Sequence, residues 1–165
     1  KNWECTEKFV FISTDKVINS NSIMGATKRV AEIMVKNQGK GFVAVRFGNV
    51  MGSRGSVIPF WQGQMDRGEP LTVTDARMER YMMSIPQAVN LVIKAAEIGK
   101  GGEIIVLDMG KKVNILELAN EILKTAQSDV GVKMIGIRPG ETLTEDIMFA
   151  EEKARAKKVD NFWII

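Results

Sequence analysis

The chain has 165 residues and a formal charge of +3, with both signs mixed along it; that suffices for a domain with a core and is too slight to argue for nucleic acid. It contains no His and a single Cys, Cys5, which excludes Ser-His-Asp catalysis, His-based or thiolate metal sites and an internal disulfide. The lack of a disulfide fits a reducing compartment, Cys5 reads as an inert thiol near a terminus, and no run of about 18 apolar residues offers a transmembrane helix.

Lys1 to Lys8 is a polar lead-in. Phe9-Val10-Phe11-Ile12 is a short apolar run, which predicts a strand buried on both faces. It stops at Ser13-Thr14-Asp15-Lys16, and a loop follows from Asn19 to Ser22. Met24-Gly25-Ala26-Thr27-Lys28 then opens a helix that continues through Val30, Ile33, Met34 and Val35. Ionisable groups thus stand at the carboxyl end of a strand, just ahead of a helix, where open α/β sheets bind ligands. Met24 and Lys28 share one helix face. If that face looks back at the strand end, Thr14, Asp15, Lys16 and Lys28 converge and perturb one another's protonation.

Phe42 to Phe47 is a second buried strand, so strand, helix and strand make a parallel, right-handed unit. It ends in a polar, glycine-rich stretch from Gly48 to Ser56, whose backbone amides can approach a phosphate closely. No Gly-x-Gly-x-x-Gly follows any strand, so the usual dinucleotide phosphate loop is missing. Val57-Ile58-Pro59-Phe60-Trp61 opens a helix to about Arg67, with Pro tolerated near its start. Leu71-Thr72-Val73-Thr74 alternates like a short, half-exposed strand. Arg77 and Arg80 follow, either of them suited to gripping a pyrophosphate.

Ser84-Ile85-Pro86-Gln87 reads as an N-cap with Pro in the first turn, and Gly99 stops that helix. Glu103 to Asp108 is a strand. Asn114 caps a helix whose Ile115, Leu116, Leu118, Ala119, Ile122 and Leu123 form a core stripe, and Glu117 completes a capping box. Val132 to Ile137 is a short strand, followed by Arg138-Pro139-Gly140-Glu141. From Ala150 the tail is helix, with Glu151, Glu152, Lys153, Arg155, Lys157 and Lys158 as a solvated face, and then a short apolar end at Phe162 to Ile165. The chain does not begin with Met and its first strand reads like the middle of a sheet, so the expectation is a fragment or the ordered remainder of a longer protein.

From about Phe9 to about Met148 the chain resembles the extended short-chain dehydrogenase/reductase enzymes that modify nucleotide-sugars. Those enzymes carry Ser or Thr at the strand end and Tyr-x-x-x-Lys on the next helix. Here the Tyr position is Met24 and the Lys is Lys28. Ser-Thr-Asp-Lys followed by Met-Gly-Ala-Thr-Lys is similar to the CapD-like polysaccharide-biosynthesis branch, the configuration-retaining UDP-N-acetylglucosamine 4,6-dehydratases. Arg46-Phe47-Gly48-Asn49-Val50-Met51-Gly52 and Arg138-Pro139-Gly140-Glu141 match further motifs of that family, whereas Thr142 and Asp146 stand where it has Lys and Glu.

The resemblance implies an α/β fold: the C-terminal part of a Rossmann-like, doubly wound parallel sheet plus a small α/β substrate-binding subdomain, the N-terminal dinucleotide-binding half being absent. Residues 1–56 would carry the catalytic strand and helix. Residues 57–165 would bind the nucleotide-sugar, with about 80–108 returning to the sheet. Thr14, Asp15, Lys16, Met24 and Lys28 would form the catalytic set. Ser13, Lys28 and Phe47 would meet NAD, favoured over NADP, whose phosphate loop lies outside this chain. Asn49, Ser56, Val57, Pro59, Thr72, Val73, Arg80, Arg138 and Glu141 would bind a UDP-sugar, the strand at Thr72 and Val73 through its backbone. A homo-oligomer when full length, no metal, and a cytoplasmic location complete the expectation, with attachment to the cytoplasmic face of a membrane through a missing N-terminal region as an option.

Water leaves carbons 5 and 6 of a hexose only after carbon 4 is oxidised, because only then is the carbon 5 proton acidic. In the family, Lys16 would take that proton and Asp15 would protonate the departing hydroxyl, which requires a neutral Lys16 and a protonated Asp15. Thr14 would hydrogen-bond the carbon 4 hydroxyl and Lys28 would fix the cofactor ribose. Positioned proton transfer of this kind is worth ~10²–10⁴-fold in rate. Met24 cannot move a proton, so carbon 4 must be deprotonated by another group or through water. Two other readings stand beside this one: a nucleotide-sugar epimerase, and an inactive fragment that binds nucleotide-sugars without the cofactor site.

Overall fold

Strands and helices alternate along residues 6–165, the part of the chain that the computed structural model describes. Cys5 and most of the polar lead-in lie outside the described residues. Strand β1 (Phe9–Ile12) leads through a single 3₁₀ turn at Asp15–Val17 into α1 (Ile23–Lys36), and β2 (Phe42–Arg46) returns beside β1. The pairing is parallel, Phe9 opposite Phe42 and Ile12 opposite Val45. Ser22 starts α1 by accepting from the Gly25 amide at 3.1 Å. The chain then runs through β3 (Asn49–Val50), α2 (Val57–Asp66), β4 (Leu71–Val73), β5 (Glu79–Arg80), β6 (Met82–Met83) and α3 (Ile85–Ile98). It continues as β7 (Ile104–Leu107), β8 (Val113–Asn114), α4 (Ile115–Ala126), β9 (Val132–Met134), α5 (Ala150–Arg155), β10 (Lys157–Val159) and β11 (Phe162–Ile164).

The main sheet has the order β1-β2-β7-β11-β10. Its first three strands are parallel; β11 and β10 add an antiparallel edge. Alternate residues of β2 and β7 serve opposite faces. Val43, Val45 and Ile105 pack against Leu91 and Ala95 of α3. Ala44, Ile104 and Val106 pack against Ile147 and Met148. A second core joins α2, α4 and the parallel pair β4–β9, with Trp61, Leu71, Val73, Ile115 and Ala119 at its centre. Trp61 Nε1 donates to the Thr72 carbonyl at 2.9 Å, and Gln64 Oε1 accepts from the Thr72 amide at 3.0 Å, so α2 holds β4 by its backbone. Ser84 and Gln87 close a reciprocal capping box on α3.

Several sequence expectations are corrected here. β1 is only partly buried and Ile12 is half exposed, β1 being paired with β2 alone among the described residues. Asn114 caps α4 by accepting from the Leu116 and Glu117 amides, and the cap comes from Asn114 alone, with no reciprocal bond from the Glu117 side chain among the described residues. β9 stops at Met134, where its partner β4 ends. The apolar end is strand β11, paired to β7, so residues beyond the 80–108 stretch also return to the main sheet. Glu152 is 4% exposed and belongs to no solvated face: it lies against Arg46, at 2.7 Å. Among the described residues no helix is long and apolar enough to cross a membrane.

Candidate active site

The end of β1 stays bonded to the neighbouring strand: Ser13 N donates to Val45 O at 2.8 Å and Asp15 N to Phe47 O at 3.1 Å. These bonds carry Thr14, Asp15 and Lys16 to the level at which β3 leaves β2. Thr14 caps the 3₁₀ turn, its hydroxyl accepting from the Lys16 amide at 3.4 Å. Asp15 is fully buried. Its Oδ1 accepts from Thr14 Oγ1 at 3.0 Å and from Lys16 Nζ at 2.9 Å. Lys16 Nζ donates also to Asn49 Oδ1 at 3.0 Å, which ties β3 to the turn. Asp15 Oδ2 and Ser13 Oγ are sealed and have no partner among the described residues. A buried carboxylate oxygen without a donor is a costly group that native proteins keep mainly where chemistry uses it.

Lys28 does not join this cluster. Its Nζ donates to the Ile12 carbonyl at 2.9 Å and lies 4.8 Å from the Phe11 ring centroid. The predicted convergence therefore splits. Lys16, Met24 and Asn49 line one cleft, and Lys28 closes off the last carbonyl of β1. The cause is the 3₁₀ turn, which carries Lys16 toward β3, while Lys28 sits a full turn along α1 and reaches back to the strand itself. Met24 is half exposed on the cleft wall. Gly25 lets the helix start touch the turn: a Cβ there would stand 2.2 Å from the Lys16 carbonyl oxygen.

Two clefts adjoin at Asn49, Arg80, Arg138 and Glu141. One, of about 370 Å³, runs from Lys16 and Met24 to Arg138 and Glu145. The other, of about 300 Å³, is walled by Val57, Phe60, Thr72 and Val73. Arg80 is buried and acts within the protein, donating to the carbonyls of Glu79, Leu143 and Thr142 at 2.8, 3.1 and 2.7 Å. It thereby clamps the segment that follows Arg138. Gly140, at φ +78°, allows that segment to meet the Asn21 carbonyl, where a Cβ would come within 2.8 Å. Arg138 is exposed, and its guanidinium has no hydrogen bond or ion pair among the described residues. The Glu141 carboxylate accepts from the Arg138 amide at 3.3 Å and stands 3.8 Å from Arg80.

The remaining predicted residues are scattered. Ser56 precedes α2 with its hydroxyl sealed and unpartnered among the described residues. Pro59 is exposed and lines neither cleft; Phe47 is half-buried against the main core. Thr72 has its amide and carbonyl taken by Gln64 and Trp61, and the Val73 carbonyl accepts from the Ile135 amide at 2.9 Å. Reading a base through this strand therefore falls to side chains and second lone pairs. Arg77 is exposed and paired with Asp75, whose carboxyl its hydrogen bonds hold down at about 2.

Sequence reading missed a buried network beneath the site. The Arg46 guanidinium, with no exposed surface, meets Glu32 of α1 and Glu152 of α5, and Arg29 adds a contact to each carboxylate at 3.0 and 3.7 Å. Burial alone would lower the pKa of Arg46; its hydrogen bonds to Glu32 and Glu152 raise it above the usual value. Burial likewise pushes Glu152 up, and the Arg46 hydrogen bond brings it below the usual range. Glu145, 8% exposed, was missed too, since only the third dimension brings it to the Lys16 cleft.

The chain is 49% identical over 153 residues to the capsular polysaccharide biosynthesis protein CapD of Staphylococcus aureus, an alignment that covers 88% of this chain and 26% of that protein. Its fold matches the X-ray structure of Pen from Bacillus thuringiensis with a TM-score of 0.88 at 37% identity, over 96% of this chain and 52% of that one. The dTDP-glucose 4,6-dehydratase DesIV of Streptomyces venezuelae, solved with NAD and TYD bound, matches with a TM-score of 0.73 at 19% identity over 88% of this chain and 52% of that one, and shows the fold alone. The chain thus spans about a quarter of the curated relative and half of each solved protein. A family model described as polysaccharide biosynthesis protein matches residues 3–165, and the chain belongs to that family.

Proposed function

We propose that this chain carries the nucleotide-sugar site and the elimination residues of a 4,6-dehydratase that acts on UDP-N-acetylglucosamine with NAD. The observation that carries the reading is the Asp15–Lys16–Asn49 station beside Met24: an acid and an amine joined at 2.9 Å, the amine lining a cleft, and no hydroxyl at the position where the wider family has Tyr. An acid–base pair suits elimination. An epimerase needs no acid for a departing hydroxyl.

In this reading the Arg138 guanidinium takes the diphosphate, while Val57 and Phe60 form the wall against which the base lies. Arg80 holds the segment that presents Arg138. Lys16 Nζ accepts the carbon 5 proton as the carbon–hydrogen bond breaks. Asp15 provides the proton that leaves with the carbon 6 hydroxyl as water. Asp15 has no exposed surface, so that proton crosses Thr14 Oγ1 or Lys16 Nζ, its two bonded neighbours. Positioned transfers of this kind are worth ~10²–10⁴-fold each.

Ser13, Lys28 and Phe47 fit the nicotinamide end of a dinucleotide, the sealed and unpartnered Ser13 hydroxyl being the observation in their favour. When bound, such a group would supply a hydride acceptor for carbon 4, whose hydroxyl proton would leave through water or another group, and a hydride donor for carbon 6. The sequence has no Gly-x-Gly-x-x-Gly after a strand for its phosphates. The test is mass spectrometry of UDP-N-acetylglucosamine after incubation with the intact protein and NAD. A product lighter by one water supports dehydration, and a product of unchanged mass with altered chromatography favours epimerisation.

A further inference from the structure

We propose that Glu145 is the acceptor for the sugar hydroxyl groups in the Lys16 cleft, an inference that rests on the nucleotide-sugar reading above. Five ionisable side chains line this cleft: Lys16, Arg80, Arg138, Glu141 and Glu145. Three are already engaged. Lys16 is bonded to Asp15 and Asn49, Arg80 to three backbone carbonyls, and Glu141 to the Arg138 amide. Glu145 is more than nine-tenths buried overall; its carboxylate oxygens are not among the sealed polar atoms, and no hydrogen bond or ion pair from the protein reaches them among the described residues, so they are open where Glu145 lines the cleft. A carboxylate at the wall of a cleft that no protein donor occupies offers its acceptor sites to a donor that arrives with the ligand.

The chemistry of that donor follows from the two groups left free. Arg138 offers a cation, which suits a phosphate. Glu145 offers only acceptors, which repel a phosphate and suit hydroxyl or amide hydrogens. A nucleotide-sugar is anionic at its diphosphate and rich in O–H and N–H donors at its ring. The two groups therefore divide the ligand between them, a hydroxyl or amide hydrogen of the ring toward Glu145 and the diphosphate toward Arg138. A site built on such a bond discriminates sharply against ligands that lack the donor.

Calorimetric titration of the protein with UDP-N-acetylglucosamine and with UDP tests this, using the wild type, Glu145→Gln and Glu145→Ala, with thermal melting as a control for folding. The isosteric Gln keeps the packing and removes the charge. The expected result is that both variants bind UDP-N-acetylglucosamine ~10- to 100-fold more weakly, the range for a hydrogen bond to a charged group, with UDP affinity unchanged. Equal weakening of both ligands, or an unchanged ratio between them, overturns the role of Glu145. If the wild type binds neither ligand, the nucleotide-sugar reading itself falls, and the role of Glu145 falls with it.

Discussion

Replacing Arg46 with Met should destabilise the protein more than removing any exposed charge. Every N–H of this guanidinium is bonded. Nε reaches Glu32 at 3.0 Å, one terminal nitrogen reaches Ile147 O at 3.1 Å and Glu152 at 2.7 Å, and the other reaches Glu32 at 2.8 Å and Glu152 at 3.3 Å. Met fills similar volume but leaves Glu32 and Glu152, 0% and 4% exposed, with Arg29 as the remaining cation of the network. Stranding a buried charge in this way costs about 3–5 kcal/mol. That is a large share of the ~5–15 kcal/mol that holds a typical domain together.

The pH dependence gives a second, independent check. In the wild type the Arg46 hydrogen bond outweighs burial and holds the Glu152 carboxyl below its ordinary value of 4.5, so its contribution is present above about that pH and lost as pH falls through the lower folded value. In the variant, burial acts on Glu152 without the Arg46 hydrogen bond to offset it. The sign therefore reverses, and the deficit is greatest at neutral pH and shrinks as acid protonates Glu152. Urea unfolding followed by circular dichroism at pH 7 and pH 5 measures both effects. A loss under about 1 kcal/mol at pH 7, or a deficit that does not narrow toward pH 5, would refute the reasoning. Replacing Glu32 and Glu152 with apolar residues in the same variant should recover most of the loss, because an apolar set of similar volume is often as stable as a buried ion pair.

Two further outcomes concern the site itself. Gly25→Ala places a methyl group 2.2 Å from the Lys16 carbonyl oxygen, so either α1 or the 3₁₀ turn must shift; turnover should fall ~10-fold or more, as expected for a displacement near 1 Å, and an unchanged kcat would contradict the contact. Asn49→Ala frees Lys16 Nζ from its 3.0 Å partner; kcat should drop while melting temperature moves by only a few degrees, the shift that about 1 kcal/mol produces, and a fall in stability with normal kcat would make Asn49 a purely structural residue.

Much of the fold was legible because local patterns repeat what the tertiary structure needs. Val43-Ala44-Val45 reads as a central strand and is one. Ser84 and Asn114 start helices where their side chains find free amides. The Thr14–Lys16 cluster was legible because it sits at a strand end before a helix. What was not legible depends on partners remote in the chain. Glu152 sits in a mixed-charge run that looks solvated; its burial is created by Arg46, 106 positions earlier. Lys28 was placed by helix periodicity toward Asp15, yet the nearer acceptor was the carbonyl of Ile12. Phe162–Ile164 looked like a trailing apolar end, and only the open side of β7 turns it into a strand.

In the proposed reaction Lys16, held by Asp15 and Asn49, moves the proton whose loss expels water from the sugar. The direct measurement is the yield of dehydrated product from UDP-N-acetylglucosamine with the intact protein and its Lys16→Ala variant, each supplied with NAD and each checked for UDP binding. A drop of ~10²-fold or more is expected in the variant, the worth of one positioned proton transfer, with UDP still bound. A variant that binds UDP and still releases water at the wild-type rate would contradict it.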